Sequence, residues 1–183
     1  MRAAPEPVVR PGTPSDLRAV ADIYTHYVRH SVATFEETPP AVAHWEGRLT
    51  DLRARELPFL VAESDGAVTG FAYASPWRPK PAYRHTVEDT VYLAPDATGQ
   101  GLGTALLEAV ITACARAGMR QMIAVIADTG SDASRALHRR SGFTDAGHLV
   151  RVGHKHGRWI DTFLMQRALT TEHADGSAEA RIR

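Results

Sequence analysis

The most constraining stretch of the chain is Val91-Tyr92-Leu93-Ala94-Pro95-Asp96-Ala97-Thr98-Gly99-Gln100-Gly101-Leu102-Gly103-Thr104. It reads as a strand closed by Pro-Asp, a turn with glycine at alternate positions, and a helix start. Glycines let backbone N–H groups come close to a phosphate, and a helix N-terminus adds a dipole that favours an anion. The segment therefore predicts a phosphate-bearing ligand, against the plainer reading of a capping turn with none. A Walker A loop is excluded, because no Gly-Lys pair follows. A dinucleotide fingerprint fits no better, since Gly99-x-Gly101-x-Gly103 lacks the G-x-G-x-x-G spacing and lies mid-chain.

Periodicity on either side supplies the rest of a fold. Val8 to Arg10 reads as a short strand, and Leu17, Val20, Ile23, Tyr24 and Tyr27 recur at helical spacing. An irregular segment, Ser31 to Thr38, precedes a second helix carrying Val42, Trp45, Leu49 and Leu52. Pro58 to Glu63 and Val68 to Ser75 read as a hairpin turned at Ser64-Asp65-Gly66. Arg78 to His85 reads as an exposed loop, Glu88 to Leu93 as a strand, and Thr104 to Ala117 as a helix stopped by Gly118. Gln121 to Ala127 then predicts a strand and Ser131 to Ser141 a helix. Strands over Thr144 to His154 and Arg158 to Gln166 follow, turned at Lys155-His156-Gly157. The order predicts an α/β (α+β) domain over residues 1–169, with helices covering one sheet, and a polar, disordered tail over 170–183.

Charge and composition narrow the function classes. Lys plus Arg is 21 and Asp plus Glu is 21, a balance that disfavours a nucleic-acid binder. No run approaches the ~18 apolar residues of a membrane span, and Met1 to Pro11 lacks the apolar stretch of a signal peptide. A cytoplasmic protein without membrane partners is expected. Cys114 is the single cysteine and sits in an apolar helical pattern, so it is read as a core thiol. His154-x-His156 offers two imidazoles but no further ligand, so no metal is expected.

The glycine segment, with Gly101-Leu102-Gly103-Thr104-Ala105-Leu106-Leu107, resembles the pyrophosphate-binding motif of the GCN5-related N-acetyltransferases (GNAT family). Ser134-Arg135-Ala136-Leu137-His138-Arg139-Arg140-Ser141-Gly142-Phe143 resembles that family's second cofactor-side motif. The resemblance spans about Val8 to Leu169 and implies a mixed, mostly antiparallel sheet splayed at its centre, flanked by helices. It implies acetyl-CoA in the split as co-substrate, with pantetheine along Val91, Tyr92 and Leu93. Its phosphates would lie at Thr98, Gly99, Gln100, Gly101, Leu102, Gly103 and Thr104, near Ser131 and Ser134. Two positions depart from the family pattern: Thr98 stands where Gln or Arg is frequent, and Ser131 where Asn is frequent.

Three further segments resemble the phosphinothricin and methionine sulfoximine acetyltransferase subgroup: Ala72 to Trp77, Ala82 to Tyr92, and Gly153 to Asp161. This likeness implies a homodimer that detoxifies phosphinothricin, methionine sulfoximine or methionine sulfone, a herbicide-resistance activity. The attacked atom would be the acceptor's α-amino nitrogen. An α-amino group titrates near ~8, so a modest base suffices to free its lone pair. Glu88 is expected in that role, with Asp89 pointing to the other face of its strand. A backbone N–H at Tyr92–Leu93 would hold the developing oxyanion. His138 occupies the position where many relatives carry tyrosine, and is expected to protonate the leaving thiolate or to serve as a bonded core histidine. Arg84 is expected to fork onto the acceptor carboxylate, with Trp77, Tyr83, Thr86 and Thr90 completing a pocket and Phe35 forming its lid. Lys155 is expected there too, or with Trp159 at a dimer interface. Two other readings stand beside this one: a protein N-terminus or polyamine as acceptor, and a non-catalytic acyl-CoA sensor.

Overall fold

The computed structural model describes residues 8–169, so the expected tail over 170–183 lies outside the described residues. Seven strands form one sheet: β1 (Val8–Pro11), β2 (Phe59–Ser64), β3 (Ala67–Pro76), β4 (Thr86–Leu93), β5 (Gln121–Ala127), β6 (Thr144–Lys155) and β7 (Arg158–Ala168). Their order is β1-β2-β3-β4-β5-β7-β6, and every neighbouring pair is antiparallel except β4 with β5. The helices are α1 (Leu17–His30), α2 (Val42–Ala54), α3 (Leu102–Arg116) and α4 (Ala133–Arg140).

Strand alternation sorts side chains onto two faces. On β3, Phe71 and Tyr73 meet Trp45 of α2, while a Cβ on Gly70 would strike Leu106 of α3. Helices α1 and α2 thus cover one face and α3 the other, which is why Gly70 to Ala74 are all buried. The α3 stripe Leu102, Leu106, Leu107, Val110, Ile111 and Cys114 is buried at the 3.6-residue period. Burial, and secondarily the charge of Asp89, pushes the Cys114 thiol up to about 12, in keeping with a core thiol.

The sheet parts at its centre. Strand β4 pairs with β3 along its length, Gly70–Leu93 through Pro76–Val87. Strand β5 pairs with β7 along its own, Gln121–Ala168 through Ala127–Thr162. Between the halves only Thr86–Gln121, Val87–Met122 and Glu88–Ile123 are in register. Beyond Glu88 the strands diverge, leaving Asp89 to Leu93 without a neighbour on that edge.

Candidate active site

The divergence of β4 from β5 opens a cleft of about 910 Å³. One wall is β4 from Glu88 to Leu93, and the opposite wall is Ala124 to Ala127 of β5 with Thr162 of β7. The glycine turn closes one side through Thr98, Gly99, Gly101, Gly103 and Thr104. Gly99 and Gly101 take φ values of 75° and 81°, a left-handed conformation that glycine adopts without strain. Gly101 is the N-cap of α3, so the free N–H groups of a 15-residue helix face the cleft there. Of the expected cradle residues, Gln100 and Leu102 stand back from the cleft. Gln100 Nε2 donates to Asp96 O at 3.2 Å, and Leu102 is buried in the core. Ser131 and Ser134 line the cleft from the start of α4.

Glu88 sits at the apex, on the last pair before the strands part. Its carboxylate has no hydrogen-bond or ion-pair partner among the described residues. Burial raises its pKa, and the neighbouring charge of Asp89 adds to this, while Arg78 and Arg48 pull the other way. Arg84 makes no pair with it and donates to its own loop at Pro81 O, 3.3 Å away.

Asp89 points to the opposite face, as alternation predicts, and meets His138 of α4. Its Oδ2 lies 2.9 Å from His138 Nε2, and His138 Nδ1 lies 2.7 Å from Ser134 O. Both partners offer acceptor oxygens, an arrangement that favours the doubly protonated, charged ring. Burial opposes that charge, but the Asp89 hydrogen bond and charge, with the Ser134 carbonyl, prevail and raise the pKa. Among the described residues, Asp89 Oδ1 is buried without a partner. His138 is thus bonded at both ring nitrogens and also lines the cleft, so both of its expected roles stand.

Several residues expected in the acceptor pocket lie elsewhere. Thr90 and Phe35 line the cleft, whereas Trp77, Tyr83, Arg84 and Thr86 do not. Tyr83 and Arg84 sit on the loop from Arg78 to His85, which is exposed throughout and carries a short turn at Pro81–Tyr83, and Trp77 and Thr86 flank that loop. Lys155, expected in the pocket or at a dimer interface, is held by the segment that borders the cleft. It is 2% exposed and donates to Thr34 O at 2.8 Å, behind the cleft wall and away from its lining. Residues missed in the sequence include Tyr24, Tyr27, Tyr73 and Arg140, all on the lining. The spacing of Tyr24 and Tyr27 marked them as an α1 face, and nothing local marked their partners: Tyr27 OH donates to Leu93 O at 2.7 Å, across 66 positions.

A sheet split beside a parallel strand pair, with a helix N-terminus aimed into the gap, defines a mixed α/β domain whose cleft suits an extended, anion-bearing ligand. Residues 19–143 match the acetyltransferase (GNAT) family. The chain is 51% identical to a phosphinothricin N-acetyltransferase of Alcaligenes faecalis over 154 residues, 84% of this chain and 78% of the relative. It is 40% identical to an L-methionine sulfoximine/L-methionine sulfone acetyltransferase of Pseudomonas aeruginosa over 160 residues, 86% of this chain and 92% of the relative. Its structure matches that of a GNAT superfamily phosphinothricin acetyltransferase from Sinorhizobium meliloti, solved in complex with AcCoA. That match has a TM-score of 0.87 at 43% identity and covers 95% of this chain and 94% of the other. The chain belongs to the GNAT acetyltransferase family, and with it is an acetyl-CoA-dependent N-acyltransferase.

Proposed function

We propose that this enzyme acetylates the α-amino group of a small glutamate-like amino acid, with phosphinothricin, methionine sulfoximine and methionine sulfone as acceptors. The observation that carries the reading is the unpaired Glu88 carboxylate at the apex of the cleft, where β4 and β5 part. The relatives that act on these compounds support the acceptor class.

Acetyl-CoA supplies a thioester carbonyl open to attack by an amine. The residues present fit its binding: the left-handed glycines leave the turn's backbone bare, and the free edge of Val91 to Leu93 offers a partner for an extended amide chain. Thr98 Oγ1 donates to Pro95 O at 3.1 Å, so this side chain braces the turn and leaves the cradle to backbone N–H groups. Glu88, whose pKa burial raises above the ordinary carboxylate value, accepts a proton from the α-ammonium, directly or through a water. A backbone N–H of the Tyr92–Leu93 segment stabilises charge on the carbonyl oxygen. The His138 imidazolium stabilises the departing thiolate by its charge. It releases a proton only when sulfur replaces one of its two acceptors, because both N–H groups are already engaged.

For the acceptor carboxylate we propose Arg48 in place of Arg84. Its guanidinium lies over the ring of Tyr73 on the cleft lining, at 5.3 Å, with no carboxylate partner among the described residues. Arg78 acts on Glu88 only through its charge. Two cations around the base disfavour a polyamine. A second copy of the chain is proposed to cover the last hairpin, where Val150, Val152 and Trp159 are 63%, 53% and 60% exposed. Sedimentation at twice the chain mass is the expected result, and a monomer at micromolar concentration contradicts it.

Glu88→Gln tests the base. Turnover is expected to fall about 10²- to 10⁴-fold while acetyl-CoA binding, read by calorimetry, stays within about twofold. Turnover retained by the variant removes Glu88 from the mechanism. A wild type that binds acetyl-CoA and acetylates no amine is a sensor.

A further inference from the structure

The irregular segment Ser31 to Thr38 crosses the mouth of the split on the face that carries Glu88, Thr90 and Tyr92. Ser31, Ala33, Thr34 and Phe35 all line the cleft. The segment lacks helix or strand pairing, so side chains must fix it. On the β1–β4 side, Tyr92 OH donates to Ala33 O at 3.3 Å, and Tyr24 OH and Thr34 Oγ1 share a hydrogen bond of 2.6 Å. On the β5–β7 side, the last hairpin holds it from 121 residues away, through Lys155 Nζ donating to Thr34 O at 2.8 Å. Two residues along β6, Gly153 is buried against the Phe35 ring. A Cβ there would lie 3.0 Å from Phe35 Cδ2 and still closer to Cε2 and Cζ, so the ring can seat only on a glycine.

We infer that Lys155 and Gly153 are positioning residues that strap Ser31–Phe35 across the two halves of the sheet. They thereby set acceptor affinity and preference without touching acetyl-CoA. The inference rests on the reading above, in which the acceptor reaches Glu88 from this face. The physical basis is that a buried ammonium and its carbonyl acceptor lose a charge-assisted hydrogen bond together when either is removed. The glycine turn and α4, which form the acetyl-CoA end of the cleft, make none of these contacts.

Two variants, Lys155→Met and Gly153→Ala, test the strap by two readouts, with thermal melting as a check of folding. Amide hydrogen exchange over Ala33 to Glu36 is expected to quicken about tenfold or more in both. The acceptor KM is expected to rise about tenfold while the acetyl-CoA KM moves less than about twofold. In a Phe35→Ala background, Gly153→Ala is expected to be silent, since the ring it displaces is gone. Unchanged exchange, or equal shifts in both substrates' KM values, overturns the inference. A wild type inactive on every amine counts against the acceptor reading instead, and the exchange measurement still decides the strap.

Discussion

At the residue scale, Glu88 and Asp89 show how one strand gives two carboxylates different chemistry. Alternation sends Glu88 to the α1–α2 face and Asp89 to the buried side, where it bonds His138. The residue types and the facing of these two positions were legible in the sequence. The Asp89–His138 bond was not, because it joins positions 49 apart that no local pattern connects. The charges around Glu88 make a pH prediction. Burial and then Asp89 raise its pKa, and Arg78 and Arg48 lower it. Removing the Arg48 charge raises it further, and the base works only when deprotonated. Arg48→Gln should therefore move the acid limb of the kcat/KM profile to higher pH. A limb that stays in place means that the titrating group is some other residue.

At the element scale, the glycine turn and α3 were the best-defined prediction, and the helix begins at Leu102, two residues before its expected start. The early start follows from Gly101, whose φ of 81° turns the chain directly into the helix N-terminus. A Cβ at Gly101 meets nothing within 4 Å, so substitution there strains the backbone alone. Gly101→Ala is expected to cost about 1–2 kcal/mol of stability from the left-handed conformation. It should also weaken acetyl-CoA binding about tenfold, because relief of the strain tilts the N–H groups. Calorimetry on the variant with acetyl-CoA checks this, and an unchanged Kd contradicts a phosphate cradle at the turn. The parting of β4 from β5 was legible only through the family resemblance, not from any local pattern. Where two parallel strands stop pairing depends on partners drawn from distant parts of the chain. The loop from Arg78 to His85 is exposed as its sequence suggests, but where it lies relative to the cleft was hidden for the same reason. Tyr83 and Arg84 on it, and Trp77 and Thr86 beside it, suited a pocket, but only the tertiary path of the chain shows that none of the four is on the cleft lining.

At the scale of the whole molecule, two sheet halves meet at three residue pairs and are joined again by contacts that cross the split. The His138–Asp89 bond ties α4 to β4 on one face, and the strap from Tyr92 to Lys155 spans the other. The overall arrangement was legible from strand and helix order together with the family motifs, since few connections allow that order around one sheet. No helix of the described residues is long and apolar enough to cross a membrane. The cleft between the halves has an anion-binding end and a carboxylate apex flanked by arginines. Under the proposed function, an acyl-CoA takes one end and a small amino acid the other. The most direct test is free-thiol release from acetyl-CoA, with phosphinothricin, methionine sulfoximine, methionine sulfone and spermidine compared as acceptors by kcat/KM. Release with the three amino-acid analogues, at least about a hundredfold above spermidine, is the predicted result, a difference of about 2.7 kcal/mol in transition-state binding. Equal release with spermidine, or release with none of the analogues, contradicts it.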